Sequence, residues 1–578
     1  MTHSTPTVGA FSPEILAGVV IVLLVIGFGI ATTLADEPGP SRPVVFVSSY
    51  LERGDVSTEP RPEQLIDTIR IFAAPGEYEP ATFSVRSASE FKDLRVMIGD
   101  DLKSESGVTI PKSAMEIRLV DPIESWTKRN MECYLLKKSS VDLGANTTRR
   151  FWVTVHVPDD ARPGLYRSRI NIGRSITELG PDLGRFQSFK TLNYELEVLP
   201  IVPLTAQETG MAFFMFNDTS YFHRPASDST NGVAVGTKEF LSEAFQARVF
   251  EDMREHGMTT VTAYITPEDD DGKVSLTRRT EQHLAFVQTM SMLEKTKLVA
   301  PGLPVIWIWG GNYGPDVWKA VLEEGRRKGW PEIVFYVSDE PENEDRNQHV
   351  RASIRRVDDF RSRFPRYNDL RVTTGLGSSR GNLTVGHLYD LWISCMAQRI
   401  GESGMIEQAK MMGKELWTYD CMAAPVDAET DRYYFGVWAW VSGVKGCAHW
   451  AYFCQPHLSY VYPTQEDLVP SIGWEAIREG IDDYRYLKTL EQLANQARAA
   501  GRAELAGGSD EIFAHVHDMV TMDNYGAAFH EALASGVAQA SAWERPRVEP
   551  ELPIEAYDQM RLSVAREIQK LSDALGNP

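Results

Sequence analysis

Val334-Phe335-Tyr336-Val337-Ser338-Asp339-Glu340-Pro341 is an apolar, β-prone run that ends in two adjacent carboxylates and a proline. Runs of this kind form buried parallel strands, and α/β barrels carry their catalytic groups where such strands end. Two acids placed there can divide acid, base and charge-stabilising roles. The dipeptide alone has no such meaning, because Asp36-Glu37-Pro38 lies in a linker and Asp510-Glu511 opens a helical stretch. Consecutive strand residues point to opposite faces, so both acids reach one mouth only if the chain bends, and Pro341 is suited to turn it. A second reading competes: acids just ahead of a helix starting near Asn343 also complement its dipole.

Outward from this strand the same grammar repeats. Strand-like runs occur at 210–216, 259–265, 305–309, 333–337, 370–376, 388–396, 415–421 and 446–453. Amphipathic stretches at 243–256, 280–298, 316–329 and 343–364 separate several of them, which is the pattern of βα units. The connection 377–387 is rich in glycine and serine and too short for a full helix. Eight runs over this length predict a (β/α)8 TIM-like barrel, closed by a helix from Ile472 to about Ala500.

Before the barrel the period is two. Phe151, Val153, Val155 and Val157 alternate with Trp152, Thr154 and His156, as in a half-buried strand, and Leu192, Tyr194, Leu196 and Val198 repeat the rhythm. A β-sandwich is predicted. After the barrel, Tyr557, Met560, Val564, Ile568, Leu571 and Leu575 form a helical stripe that ends at Gly576-Asn577-Pro578. The fold class is therefore α/β plus all-β. The expected divisions are a tail (1–14), a transmembrane anchor or signal segment (15–35), a linker (36–44), the sandwich (45–203), the barrel (204–500) and a helical extension (501–578).

The 578 residues exceed what one compact core organises. A formal charge of −21 excludes the basic footprint that nucleic acid demands. Cys133, Cys395, Cys421, Cys447 and Cys454 contain no Cys-x-x-Cys pair, so a zinc site on that spacing is unsupported. They read as free thiols, with room for one disulfide. Residues 15–35 are nearly charge-free, and as a helix they reach roughly 30 Å, the thickness of a bilayer core. Thr33-Leu34-Ala35 resembles a cleavage site, while no Lys or Arg precedes Arg42. An exported body, tethered or released, is expected.

The strand ends gather polar and aromatic residues: Asn217 and Tyr221 after the first, Trp309 after the third, Trp417, Tyr419 and Asp420 on the seventh, and His449, Trp450 and Tyr452 on the eighth. Aromatic faces stack on pyranose rings while amides and carboxylates bond hydroxyls, so this combination favours a carbohydrate cleft. Asn217, Tyr221, Trp309, Trp417, Tyr419, Trp450 and Tyr452 are the candidate substrate-binding residues, and Asp339 and Glu340 the candidate catalytic pair. His449 has no ligand-spaced partner on its strand and reads as a buried, hydrogen-bonded histidine. Gly375-Leu376-Gly377-Ser378-Ser379 lacks the lysine of a nucleotide loop. No cofactor and no metal are expected.

Two further runs carry a resemblance. The first is Trp438-Ala439-Trp440 with Gly443, Gly446 and Trp450-Ala451-Tyr452, followed by 470–487 (PSIGWEAIREGIDDYRYL); the second is Gly76-Glu77-Tyr78-Glu79-Pro80-Ala81-Thr82-Phe83 with 152–158. Together they resemble the family 123 glycoside hydrolases and their uncharacterised barrel relatives, over about residues 45–490. The resemblance implies a sandwich plus catalytic barrel acting as a retaining β-N-acetylgalactosaminidase. It places the family's Asp-Glu pair on Asp339 and Glu340, with the substrate's 2-acetamido oxygen as nucleophile. Asp339 would steady the oxazolinium, Glu340 would act as acid and then base, Tyr419 would hold the acetamido oxygen, and Trp417 and Trp450 would wall the pocket. Two other readings stand beside it: Glu340 as acid/base with Asp420 as nucleophile about 5 Å away, and a non-catalytic surface glycan-binding protein.

Overall fold

The computed structural model describes residues 42–576 except 125–129, 139, 177–184, 218–241, 269–270, 281–283, 342, 377–383, 396–404, 421–425, 454–458, 465–467 and 521–551. Residues 15–35 lie outside this set, and among the described residues no helix is long and apolar enough to cross a membrane.

The N-terminal part consists of two facing sheets. The five-stranded sheet runs Val44–Ser48, Tyr78–Ser87, Thr147–His156, Met115–Glu124, Asn130–Leu136. The seven-stranded sheet follows Thr68–Ala73, Arg185–Val198, Gly164–Ile176, Phe91–Ile98 and Val141–Leu143, with Leu102–Ser104 and Thr109–Ile110 alongside. Phe83, Val85, Phe151, Val153, Tyr194 and Leu196 fill the space between them. Trp152, expected on the wetter face, is also fully buried. It joins Tyr50, Val120 and Leu135 in the larger cluster that includes the outer barrel core, so the barrel covers this sheet's second face.

Eight strands build the barrel: β1 (Ala212–Asn217), β2 (Thr262–Tyr264), β3 (Val305–Ile308), β4 (Ile333–Asp339), β5 (Val372–Leu376), β6 (Leu391–Cys395), β7 (Glu415–Asp420) and β8 (Gly446–Phe453). Consecutive strands from β2 to β8 pair in parallel, and β8 pairs with β1. Between β1 and β2 threonines replace the ladder. The Thr259 hydroxyl accepts from the Phe213 N–H (2.8 Å) and the Thr262 hydroxyl from the Asn217 N–H (3.1 Å), while the Thr259 N–H donates to the Phe213 carbonyl (2.8 Å). Phe214, Ile306, Val334, Leu391, Ile393 and Trp417 fill the interior. Four helices follow the first four strands: α1 (Glu243–Glu255), α2 (Phe286–Thr296), α3 (Pro315–Lys328) and α4 (Glu344–Arg363). Asn343 caps α4 by accepting the Arg346 N–H (2.9 Å). After β5 the described residues include a short 3-10 turn, Gly386–Leu388.

Helix Ile472–Ala499 explains the long signature, because its charged residues are buried. Tyr486 donates to Glu77 (2.9 Å), and the Arg478 guanidinium lies over the Tyr78 ring (4.8 Å). Helix Glu555–Leu575 supplies Arg561, whose guanidinium reaches Asp483 (2.6 Å), Glu479 (2.8 Å) and Glu79 (3.3 Å). Arg432 grips Asp483 from the other side (2.8 Å). Gly480 is required here, since a Cβ would lie 2.5 Å from the Arg432 carbonyl oxygen. The front motif and the C-terminal motif thus meet in one ionic cluster that joins sandwich, barrel and C-terminal helix. Their charges pair with one another across the join.

Candidate active site

Strand β4 delivers both acids to the mouth by breaking its own regularity. Val334 and Tyr336 point into the barrel, so strict alternation would turn Asp339 outward. The pairing with β5 instead shifts between Tyr336 and Asp339, and Asp339 comes to oppose Gly375. Such a bulge re-aims a side chain. The next residue, Glu340, adopts φ 42°, a left-handed backbone that is uncommon for a residue with a side chain. The bend therefore falls on Glu340 itself, one residue before Pro341. It is held by the Glu340 N–H on the Gly375 carbonyl (2.9 Å), and by Arg346 of α4 on the carbonyls of Asp339 (3.2 Å) and Glu340 (2.9 Å). Departures of this kind cost about 1–3 kcal/mol each and gather at functional sites.

Each acid has its own phenol. Tyr336 donates to Asp339 Oδ1 (2.6 Å), and Tyr419 donates to Glu340 Oε1 (2.6 Å). Burial, reinforced by the Asp339 charge, pushes the Tyr336 phenol well above the ordinary tyrosine value, so it remains a donor. Gly375 makes room for this pair, because a Cβ there would sit 2.4 Å from the Tyr336 hydroxyl. Trp309, directly after β3, also has a left-handed backbone (φ 60°) and remains 42% exposed. Its ring meets Tyr336 edge to face at 5.8 Å.

Asp339, Glu340, Tyr419 and Trp309 are thus brought together through direct contacts and through Tyr336. Trp450 shares the barrel interior and is only partly buried. Trp417 shares that interior but is fully enclosed against Phe214, with its indole N–H on Glu415 at the opposite strand end (2.7 Å). It plugs the barrel one layer below Tyr419 and does not wall the mouth. Tyr452 faces outward, donating to Asp252 of α1 (2.6 Å) and packing on Trp474. Asn217 has the outward parity of Phe213 and Met215 and lines a cavity of about 30 Å³ with Gln246, Phe250, Thr262, Tyr264 and Thr289. Tyr221 and the side chain of Asp420 lie outside the described residues. His449 is buried beside Asp431 (2.9 Å), which also accepts from Tyr460 (2.9 Å); burial pushes the Asp431 carboxyl up to about 6 against the pull of His449. Cys133 and Cys447 are buried free thiols.

No sequence motif singles out Tyr336, Gly375 or Arg346. Tyr336 stands within the quoted strand on its inward parity, and Gly375 lies next to the end of the neighbouring strand, so parity and adjacency are the available signals.

Residues 57–174 match a family model described as the glycoside hydrolase 123 N-terminal domain. No curated protein matches the chain. Among solved structures, a family 123 glycoside hydrolase from Clostridium perfringens, described for the details of glycolipid glycan hydrolysis, aligns with a TM-score of 0.59 at 12% identity. The alignment covers 93% of this chain and 98% of that one. A β-D-glucuronidase from Dictyoglomus thermophilum aligns over 76% of this chain and 68% of its own at 9% identity, and its TM-score of 0.29 carries no weight. The resemblance to family 123 is therefore borne out, by the family model over the sandwich and by the fold over sandwich and barrel. The family model supports a glycoside hydrolase, and the structural alignment supports the shared fold.

Proposed function

We propose that the chain is a retaining glycoside hydrolase of the β-N-acetylgalactosaminidase (β-N-acetylhexosaminidase) type, in which the substrate's 2-acetamido oxygen is the nucleophile. The observation that carries this reading is the pair itself: consecutive carboxylates at the end of β4, each held by a separate phenol. Neighbouring acids approach the sugar from one side. Substrate-assisted cleavage needs that arrangement, since one acid serves the acetamido group and the other the leaving oxygen.

Asp339 accepts the acetamido N–H and stabilises the positive charge that grows as the carbonyl oxygen attacks the anomeric carbon. Glu340 gives its proton to the departing oxygen as that bond breaks. It then takes a proton from the water that opens the oxazolinium, and two displacements leave the anomeric configuration unchanged. The Tyr419 hydroxyl fixes the direction of Glu340. Trp309 offers an exposed aromatic face to a pyranose ring. The description of the Clostridium perfringens enzyme makes glycolipid glycans the first natural substrates to test.

The test is hydrolysis of aryl β-glycosides with and without a 2-acetamido group, in the presence and absence of a thiazoline that mimics the oxazolinium. Cleavage confined to the 2-acetamido sugars, and blocked by the thiazoline, is expected. Equal cleavage of plain glucosides with no thiazoline inhibition would exclude the mechanism and favour Asp420 as nucleophile.

A further inference from the structure

We propose that Tyr336 is the positioning residue that aims Asp339 at the acetamido group, and that Gly375 is the residue whose missing side chain permits it. This rests on the acetamido-assisted reading above. Asp339 ends a bulged strand and is exposed, so packing does not fix its carboxylate. The contact that does is the Tyr336 hydroxyl on Oδ1 at 2.6 Å. Tyr336 is itself immobilised: it is buried in the barrel interior and its ring meets Trp309. Gly375 lies against both partners, its absent Cβ falling 2.4 Å from the phenol oxygen and 3.2 Å from Asp339 Oδ1. With Oδ1 engaged, Oδ2 is the oxygen presented to an amide N–H. The phenol thereby links the aromatic platform at Trp309 to the carboxylate that reads the 2-acetamido group.

The test uses Tyr336→Phe, which keeps the ring in the core, and Gly375→Ala, which displaces the hydroxyl without removing it. A hydrogen bond to a charged acceptor accounts for roughly 10- to 100-fold in rate. Both variants should lose about that factor in kcat on 2-acetamido glycosides with little change in KM, and the same factor in thiazoline affinity, while their melting temperatures stay near the native value. Adding Tyr336→Phe to Asp339→Asn should cost nothing further, because the phenol acts only through that carboxylate. Additive losses in the double variant, or native kcat in Tyr336→Phe, would overturn the proposal. A crystal structure of Tyr336→Phe tests the claim independently of activity: a reoriented Asp339 carboxylate supports it and an unmoved one overturns it. Native protein that ignores both 2-acetamido glycosides and thiazoline would sink the functional reading alone, leaving that structure to decide the positioning claim.

Discussion

Replacing Arg561 with methionine probes whether the two signature runs exist for assembly. Arg561 is 1% exposed and bonds Asp483, Glu479 and Glu79 at once, with a further bond to the Glu479 carbonyl (2.6 Å). Methionine preserves most of the stem's packing but leaves Glu479 and Glu79 without their guanidinium and Asp483 to Arg432. Removing one partner from a buried ionic network costs about 3–5 kcal/mol. With an unfolding entropy of about 2.1 cal/mol/K per residue over roughly 500 residues, that is a drop of about 3–5 °C in melting temperature. The penalty should depend on pH in a fixed direction. Burial already pushes Glu479 up to about 7, and Arg561 is the largest influence opposing it. Without the guanidinium the acids retain protons to higher pH, so the variant lies nearer the native protein at pH 5 than at pH 8. Calorimetry of both proteins at the two pH values measures this. An unchanged melting temperature, or a penalty that grows toward acid, would refute the assignment.

Three further outcomes are expected. Glu340→Gln should lose about 10²- to 10⁴-fold on glycosides with poor leaving groups and much less on activated aryl glycosides, whereas Asp339→Asn should impair both equally; steady-state rates across a leaving-group series distinguish the two. Glu479→Gln should flatten the pH dependence of stability. The native carboxyl holds its proton up to about 7 while the unfolded one releases it near about 4.3, so native stability falls as pH rises through that window; the variant's should fall less steeply, with Glu77 and Asp431 still contributing, by melting curves from pH 4 to 8. Residues 15–35 should take the body out of the cytoplasm, and recovery of the full-length chain from soluble cytosol would overturn this.

The eight strands were legible because buried parallel strands leave continuous apolar runs, and each observed strand falls within or against an expected one. Trp152 shows where alternation stops informing: it reports that a strand has two faces, not that a barrel covers the second. Trp417 and Tyr419 share a parity, and only depth inside the barrel separates a plug from a mouth residue. Depth depends on the stagger between strands, which one strand's sequence does not contain. The part played by Tyr336 is hidden for a related reason. The bulge that turns Asp339 toward it is a relation between β4 and β5, and Gly375, its clearest trace, sits 36 residues from Asp339 along the chain. The charged signature pointed to a family but not to a site, because buried ion pairs and catalytic acids use the same residue types.

The threonine junction between β1 and β2 makes the barrel a ribbon whose ends are fastened by two hydroxyls and by backbone N–H groups on the Phe213 carbonyl. A hydroxyl rotates freely about its Cβ–O bond and can exchange its partner for water. Successive ladder bonds share one stiff backbone, so a junction that rests partly on hydroxyls should be more compliant than a full ladder. Amide exchange at Phe213 and Asn217, whose N–H groups rest on Thr259 and Thr262, should outpace exchange along β6 and β7. A hoop with one more compliant joint can change its girth without melting.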